Sequence, residues 1–385
     1  MKKLLLNVVR KYLPVPMAAM SLFVCVICVS VGTNLKAVET NGAWELGPFL
    51  RPDGVNPLIT PNTNLVFDCP MNGRPTAWAA LHTFNPAAVL KDDKVCVLFR
   101  AEDASGMMSI GGHTSRIGLA ESEDGLHFTS QSAPVLFPAI DNQKTNEWTG
   151  GCEDPRVVET EDGTYVMMYT EFYRGEHTRM ARLGVATSPD LVHWTKHGPV
   201  FEKLGGEFAN HFCKSGAMLT CLMDGRLKAV KYHGKYLMYW GEGEIRLASS
   251  SDLINWIPGP VVLKTRPGKF DSGLVEAGPP AVLAKQGIVL LFNAKNAAQN
   301  GDASLPAGIY SAGQALFDLD HPAKLLQRTD VPFFKPEADF ERTGQYGAGT
   351  TFLEGLVYFK NQWLLYYGCA DSYVAVAMAK NNLQP

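Results

Sequence analysis

Three segments of the chain align residue for residue: Arg116-Ile117-Gly118-Leu119-Ala120-Glu121-Ser122-Glu123-Asp124-Gly125-Leu126-His127-Phe128, Arg182-Leu183-Gly184-Val185-Ala186-Thr187-Ser188-Pro189-Asp190-Leu191-Val192-His193-Trp194 and Glu244-Ile245-Arg246-Leu247-Ala248-Ser249-Ser250-Ser251-Asp252-Leu253-Ile254-Asn255-Trp256. Each is an apolar run, then Ser-x-Asp, then an aromatic residue. With the alanine of each as a marker, positions 120, 186 and 248 are separated by 66 and 62 residues. Another step of this size reaches Gly308 to Leu316, and one more reaches Asp371 to Ala377, where only the apolar run persists. Self-similarity at a fixed period marks a repeat architecture, in which each unit buries its faces on its neighbours.

Outward from each copy lie two further strand-like runs joined by a polar turn. Ala87 to Leu90 and Val95 to Phe99 flank Lys91 to Lys94, and Glu161-Asp162-Gly163 turns the second pair. His233-Gly234, Gln286-Gly287 and Lys360-Asn361-Gln362 turn the other three. Short apolar runs around Asp-Gly or His-Gly are hairpin signals. The residues after Ser-x-Asp are expected to form an outer strand ending in Phe or Trp. Five four-stranded antiparallel units packed radially make a five-bladed β-propeller, which is the all-β fold expected here. A long β-sandwich would not explain the period. Residues from about Asn41 to Asn85 are expected to help close the ring.

The whole chain has 385 residues, 19% of them charged, with a formal net charge of -3 and no basic run beyond the N-terminus. That balance argues against a nucleic-acid partner. Lys2, Lys3, Arg10 and Lys11 precede the apolar run Met17 to Gly32, so residues 1–38 read as a signal peptide and 39–385 as the mature domain. A run of this length is short for a membrane span; an uncleaved anchor or a lipoprotein signal is the other reading. The expectation is an exported protein, periplasmic or at the cell surface. Of eight cysteines, Cys69, Cys96, Cys152, Cys213, Cys221 and Cys369 lie beyond that segment. They show no CxxC pair and no Cys/His ligand spacing, so the sequence calls for neither zinc nor any other cofactor, and buried free thiols are expected.

In a radial array, equivalent strand ends from different units converge. Here they carry Asn85-Pro86, Arg100 to Asp103, Glu153-Asp154, Glu171, Lys214, Glu242, Glu276, Lys295 and Asp371. Carboxylates with a few Arg, Lys and Asn residues suit glycoside chemistry. One acid protonates the leaving oxygen while another carboxylate activates water. Neighbouring like charges would separate those roles. There is no G-x-S-x-G elbow, and Gly111-Gly112 and Gly205-Gly206 lack the strand–loop–helix setting of a phosphate cradle.

Asn85-Pro86-Ala87, Phe99-Arg100-Ala101, Glu153-Asp154-Pro155-Arg156, Ala181-Arg182-Leu183, Ala277-Gly278-Pro279-Pro280 and Gly368-Cys369-Ala370-Asp371 together resemble glycoside hydrolase family 130, the β-mannoside phosphorylases and β-1,2-mannosidases. The resemblance runs from about Asn85 to Lys380 and implies a five-bladed propeller. It implies that Asp154 is the general acid, acting through a mannose hydroxyl. Asn85, Arg100 and Asp371 match positions that hold the non-reducing mannose, with Glu153 beside them. Arg182 and Lys214 match the basic positions of the anion or nucleophile subsite.

Two departures matter. Where phosphorylases of the family carry a His-Arg-Pro type sequence, this chain has Trp240-Gly241-Glu242; before Ala-Gly-Pro-Pro it has Glu276. Carboxylates in place of cations repel phosphate and can activate water instead. Glu242 and Glu276 are the base candidates, with Glu244 close in register. The resulting expectation is an exo-acting, inverting β-1,2-mannosidase taking a β-mannoside oligosaccharide. A mannoside phosphorylase and a non-catalytic sugar-binding propeller are the alternatives.

Overall fold

The computed structural model describes residues 44–380, and the expected signal segment lies outside them. The repeats fold as five antiparallel sheets, here called I to V in chain order. Sheet I is His82–Lys91, Lys94–Asp103, Thr114–Ser122 and the short Thr129–Ser130. Sheet II is Thr149–Glu159, Tyr165–Arg174, Arg179–Ser188 and Thr195–Pro199. In sheet III, Gly216–Met223 pairs with Tyr236–Trp240, followed by Ile245–Ser250 and Trp256–Leu263. An extra strand, Arg226–Ala229, folds back on Gly216–Met223. In sheet IV the first strand is split into Leu274–Ala277 and Ala281–Ala284, both paired with Gly287–Lys295; Tyr310–Phe317 and Leu325–Arg328 complete it.

Sheet V is Thr351–Phe359, Gln362–Cys369 and Tyr373–Lys380. Its outer edge is taken by the N-terminal segment, with Leu50 bridged to Met378 and Ile59 to Val374. Asn56 also bonds Val376 through both its side-chain oxygen and its amide. Among the described residues no helix is long and apolar enough to cross a membrane.

Continuous apolar strands are explained by burial on both faces. Successive side chains of a strand point to opposite sides. In Lys94–Asp103, Cys96 and Leu98 join Met167 and Tyr169 of sheet II, while Val97 and Phe99 join Leu364 and Tyr366 of sheet V. Every core cluster joins two sheets in this way: II with III around Met168 and Met238, III with IV around Tyr239 and Leu290, and IV with V around Leu291 and Leu365. The six cysteines within the described residues are free and buried.

The Ser-x-Asp stretch corrects one expectation. It is a tight turn, and the outer strand begins after the aromatic residue, or at it in sheet III, rather than ending there. Ser188 Oγ accepts from the Leu191 amide at 2.8 Å, and Asp190 Oδ1 accepts from the Val192 and His193 amides at 2.9 and 2.8 Å. Ser122/Asp124 and Ser250/Asp252 repeat this geometry. The side chains satisfy amides that a strand would have left to a neighbour. Trp194 and Trp256 donate their indole N–H back to the carbonyls of Leu191 and Leu253.

Asp190→Ala should therefore cost about 1 to 2 kcal/mol of folding stability, seen as a lower denaturant midpoint with an unchanged slope. No change in midpoint would mean that the turn is held by the indole alone.

Candidate active site

The first strand is interrupted near the same place in sheets I, II, IV and V, and in sheet III the residue just before it, Ser215, is left-handed. Register slips between Phe84 and Pro86, between Glu153 and Arg156, and between Leu353 and Gly355. Asn85, Asp154 and Ser215 have φ of 47°, 51° and 58°, a left-handed backbone uncommon outside glycine that Asn and Asp tolerate best. In sheet IV the break falls at Gly278 to Pro280, between the two half-strands. A bulge re-aims the side chain of the extra residue. Here it turns Asn85 of sheet I and Asp154 of sheet II onto each other, with Asn85 Nδ2 donating to Asp154 Oδ1 at 2.8 Å. Gly151 permits this approach: its φ is +105°, and a Cβ there would lie 2.1 Å from the Ser115 carbonyl oxygen.

Arg100 holds the centre. Its guanidinium donates to Asp154 at 3.0 Å, Glu153 at 2.9 Å and Glu102 at 2.6 Å, while its Nε donates to Ser115. Lys214 closes the other side, 2.9 Å from Glu153 and 3.7 Å from Asp154. Burial alone would raise the Asp154 carboxyl, but Arg100, Lys214, Asn85 and Arg156 outweigh it and hold it below the usual carboxylate range. Asp371 differs. Burial pushes it up to about 7 against the pull of Arg100, with Glu102 and Asp154 adding to the rise. The general acid expected at Asp154 is thus an ionised group in the free site, because it lies within reach of several cations.

A second carboxylate pair is set by the backbone. Glu242 and Glu276 are bridged antiparallel neighbours, and the Gly243 amide donates to Val275 at 2.9 Å. Glu276 is 4% exposed and accepts from Ser215 Oγ, the hydroxyl on the left-handed residue of sheet III. Burial and the Glu242 charge raise Glu276 to about 8, against Arg156, Ser215 and Lys214. Glu242 is exposed. Glu276 therefore keeps its proton at neutral pH beside the exposed Glu242. Glu244, the rival in register, is tied to Arg246 at 2.7 Å. Lys214 feels both Asp154 and Glu242, which connects the two carboxylate groups.

Arg182 stands apart from this network. Its guanidinium donates to Asn210 at 2.9 Å and Asn146 at 3.4 Å, so the expected anion subsite has Lys214 on the carboxylates and Arg182 to one side. Arg156 was read only as part of the Glu153-Asp154-Pro155-Arg156 motif, and Glu354 was missed. Arg156, fully buried, reaches Glu354 at 2.9 Å and the carbonyls of Asp154, Ala277 and Gly278, pinning sheet II to IV and V. Glu354 sits at the bulge of sheet V with its pKa raised well above normal, mainly by burial, against the pull of Arg156 and with Asp154 and Glu276 adding. A lone Glu inside Phe352-Leu353-Glu354-Gly355-Leu356 was the available signal. Spacing also hid a grouping of His82, Glu102 and His113, whose ligand atoms all lie within 4.8 Å of one another.

A protein-family model described as beta-1,4-mannooligosaccharide phosphorylase, glycoside hydrolase family 130, matches residues 56–383. The chain belongs to this family. A 1,2-beta-oligomannan phosphorylase of Thermoanaerobacter sp. (strain X514) is 30% identical over 305 residues, covering 78% of this family 130 chain and 90% of that relative. Among solved structures, one from work on GH130 glycoside hydrolases that target β-1,2 mannosidic linkages in Candida mannan is 48% identical. Its TM-score is 0.85, with 91% of this chain and 99% of that one covered. A glycosyl hydrolase from Bacteroides ovatus is 49% identical with a TM-score of 0.83, over 89% and 98% of the two chains.

The family 130 chain also buries Glu171, raised to about 8 by burial and by Glu147. Glu171 and Glu276, both raised from 4.5, keep protons in the folded chain at pH values where the unfolded chain has released them. Their contribution to stability therefore falls as pH rises from 4.5 towards about 8, by at most about 1.4 kcal/mol per pH unit for each group. Melting temperature should be higher at pH 5.5 than at 8.5, and Glu171→Gln should narrow the difference. An equal difference in that variant would contradict the assignment.

Proposed function

We propose that this chain is an exo-acting, inverting hydrolase that releases mannose from the non-reducing end of β-1,2-linked manno-oligosaccharides. The observation that carries it is the Glu242–Glu276 pair beside the Asp154 cluster, in which buried Glu276 keeps its proton and exposed Glu242 is the base for water. Glu276 is held in place by the Ser215 hydroxyl. Asn85, Arg100, Glu153 and Asp371 bind the terminal sugar, and Asp154 delivers a proton through a sugar hydroxyl. Because Asp154 is ionised in the free site, it takes up that proton when substrate binds; Asp371, raised to about 7, is the neighbouring carboxyl that can hold one.

The five sheets, each packed on the next and V on I, support a five-bladed β-propeller with this site where the interrupted first strands meet. Residues 39–385 make up that catalytic domain, and residues 1–38 direct export to the periplasm or cell surface.

A phosphorylase reading is favoured by the description of the family model and by the activity named for the Thermoanaerobacter relative. Incubation with β-1,2-mannobiose, with and without phosphate, separates the two. Free mannose without phosphate is expected, appearing first as the α-anomer by NMR. Formation of mannose 1-phosphate with no turnover in its absence would overturn hydrolysis. Loss of a well-placed acid or base costs roughly 10²- to 10⁴-fold in rate, so Asp154→Asn and Glu242→Gln should each lose about that much kcat.

A further inference from the structure

At one end of sheet I, three strand termini bring two histidines and a glutamate together outside the carboxylate pairs already described. His82 and Glu102 are register partners across the first two strands, and His113 directly precedes Thr114, the partner of Asp103. One ring nitrogen of each histidine and one Glu102 oxygen all lie within 4.8 Å of one another. The imidazole centroids are 5.5 Å apart. Two imidazoles on one tetrahedral ion, with metal–nitrogen distances of about 2.0–2.1 Å, put their centroids about 5 Å apart. We propose that His82, Glu102 and His113 form a binding site for one divalent transition-metal ion, of the two-histidine, one-carboxylate kind that suits Zn²⁺.

Each ligand is prepared for this. His113 is 5% exposed, and its Nδ1 has no hydrogen-bond partner, a costly state for a buried polar atom unless something else occupies it. His82 Nδ1 lies 3.0 Å from Ser372 Oγ. With the proton on Nδ1, that contact leaves Nε2 open, as the second contact of a ligating histidine does.

Glu102 Oε1 is filled by Arg100 and Ser115, but Oε2 accepts only from Gln345 among the hydrogen bonds seen and has a lone pair to spare. His82 is only half-buried, which gives an ion access from solvent.

Neutralising Glu102 would leave the Arg100 guanidinium more fully to Glu153 and Asp154, so the ion would tune sugar binding without touching the reacting atoms. The test uses the untagged full chain, stripped with chelator and titrated with Zn²⁺ by calorimetry. Stoichiometric binding of one ion per chain is expected, with a rise in melting temperature. Co²⁺ in its place should give the visible ligand-field bands of a low-coordinate nitrogen and oxygen site. His113→Ala and His82→Gln should each weaken Zn²⁺ binding at least 100-fold, while metal-free melting and β-1,2-mannobiose turnover show that each variant folds. Absence of stoichiometric binding to the wild-type chain overturns the proposal. So does unchanged affinity in whichever of the two variants folds.

Discussion

One guanidinium organises the site. Arg100 is buried and shared among Glu102, Glu153 and Asp154. Buried charges are tolerable only when paired and hydrogen-bonded, because removing one partner strands the rest at a cost of several kcal/mol. Glu102 comes from the same strand as Arg100, while Glu153 and Asp154 come from sheet II. The ion cluster therefore fixes the register of two sheets as well as the shape of the pocket. Lys214 extends the same bond to the start of sheet III, and Arg156 carries it to sheets IV and V.

The site thus contains two electrostatic populations. Around Arg100, cations outweigh burial and Asp154 is held ionised. At Glu276 and Glu354, burial and neighbouring carboxylates win and protons are retained. Chemistry that needs an acid and a base at one pH depends on such a separation. It arises here from where the positive side chains fall, since every one of these acids sits at an interrupted strand or a strand end.

Much of this could be read from residues alone. Three Ser-x-Asp copies and two further apolar runs at the same spacing identified five strand groups, the turn recurring in the first three because it satisfies its own amides with the same side chains. Asn85, Arg100, Asp154 and Lys214 were legible as polar residues where apolar strands stop, and they do meet. The strand after Trp194 was misjudged: the pattern of alternation cannot show that Asp190 claims two backbone amides for a turn. Glu354 was passed over because a single charge in an apolar strand usually reads as a surface position, whereas a bulge rotates this one inward. His82 and His113 lie 31 positions apart, and only pairing across the intervening strand makes them neighbours. Arg182 was placed by resemblance, and its asparagine partners come from the short helix Lys144–Glu147 and the end of the short helix Gly206–Ala209, outside the repeating pattern.

The edge pairing of sheet V carries a consequence for how the chain reaches this state. Asn56 and Val376, 320 positions apart, must find each other before the last sheet has a complete edge. Sheets I to IV are built from local hairpins and can form as they are synthesised, but the early segment around Leu50 to Ile59 has no strand to bridge until the final one arrives. Closing so long a loop costs little extra at equilibrium and much in time. The residues that leave the ribosome first are thus the ones kept from locking until the last have followed.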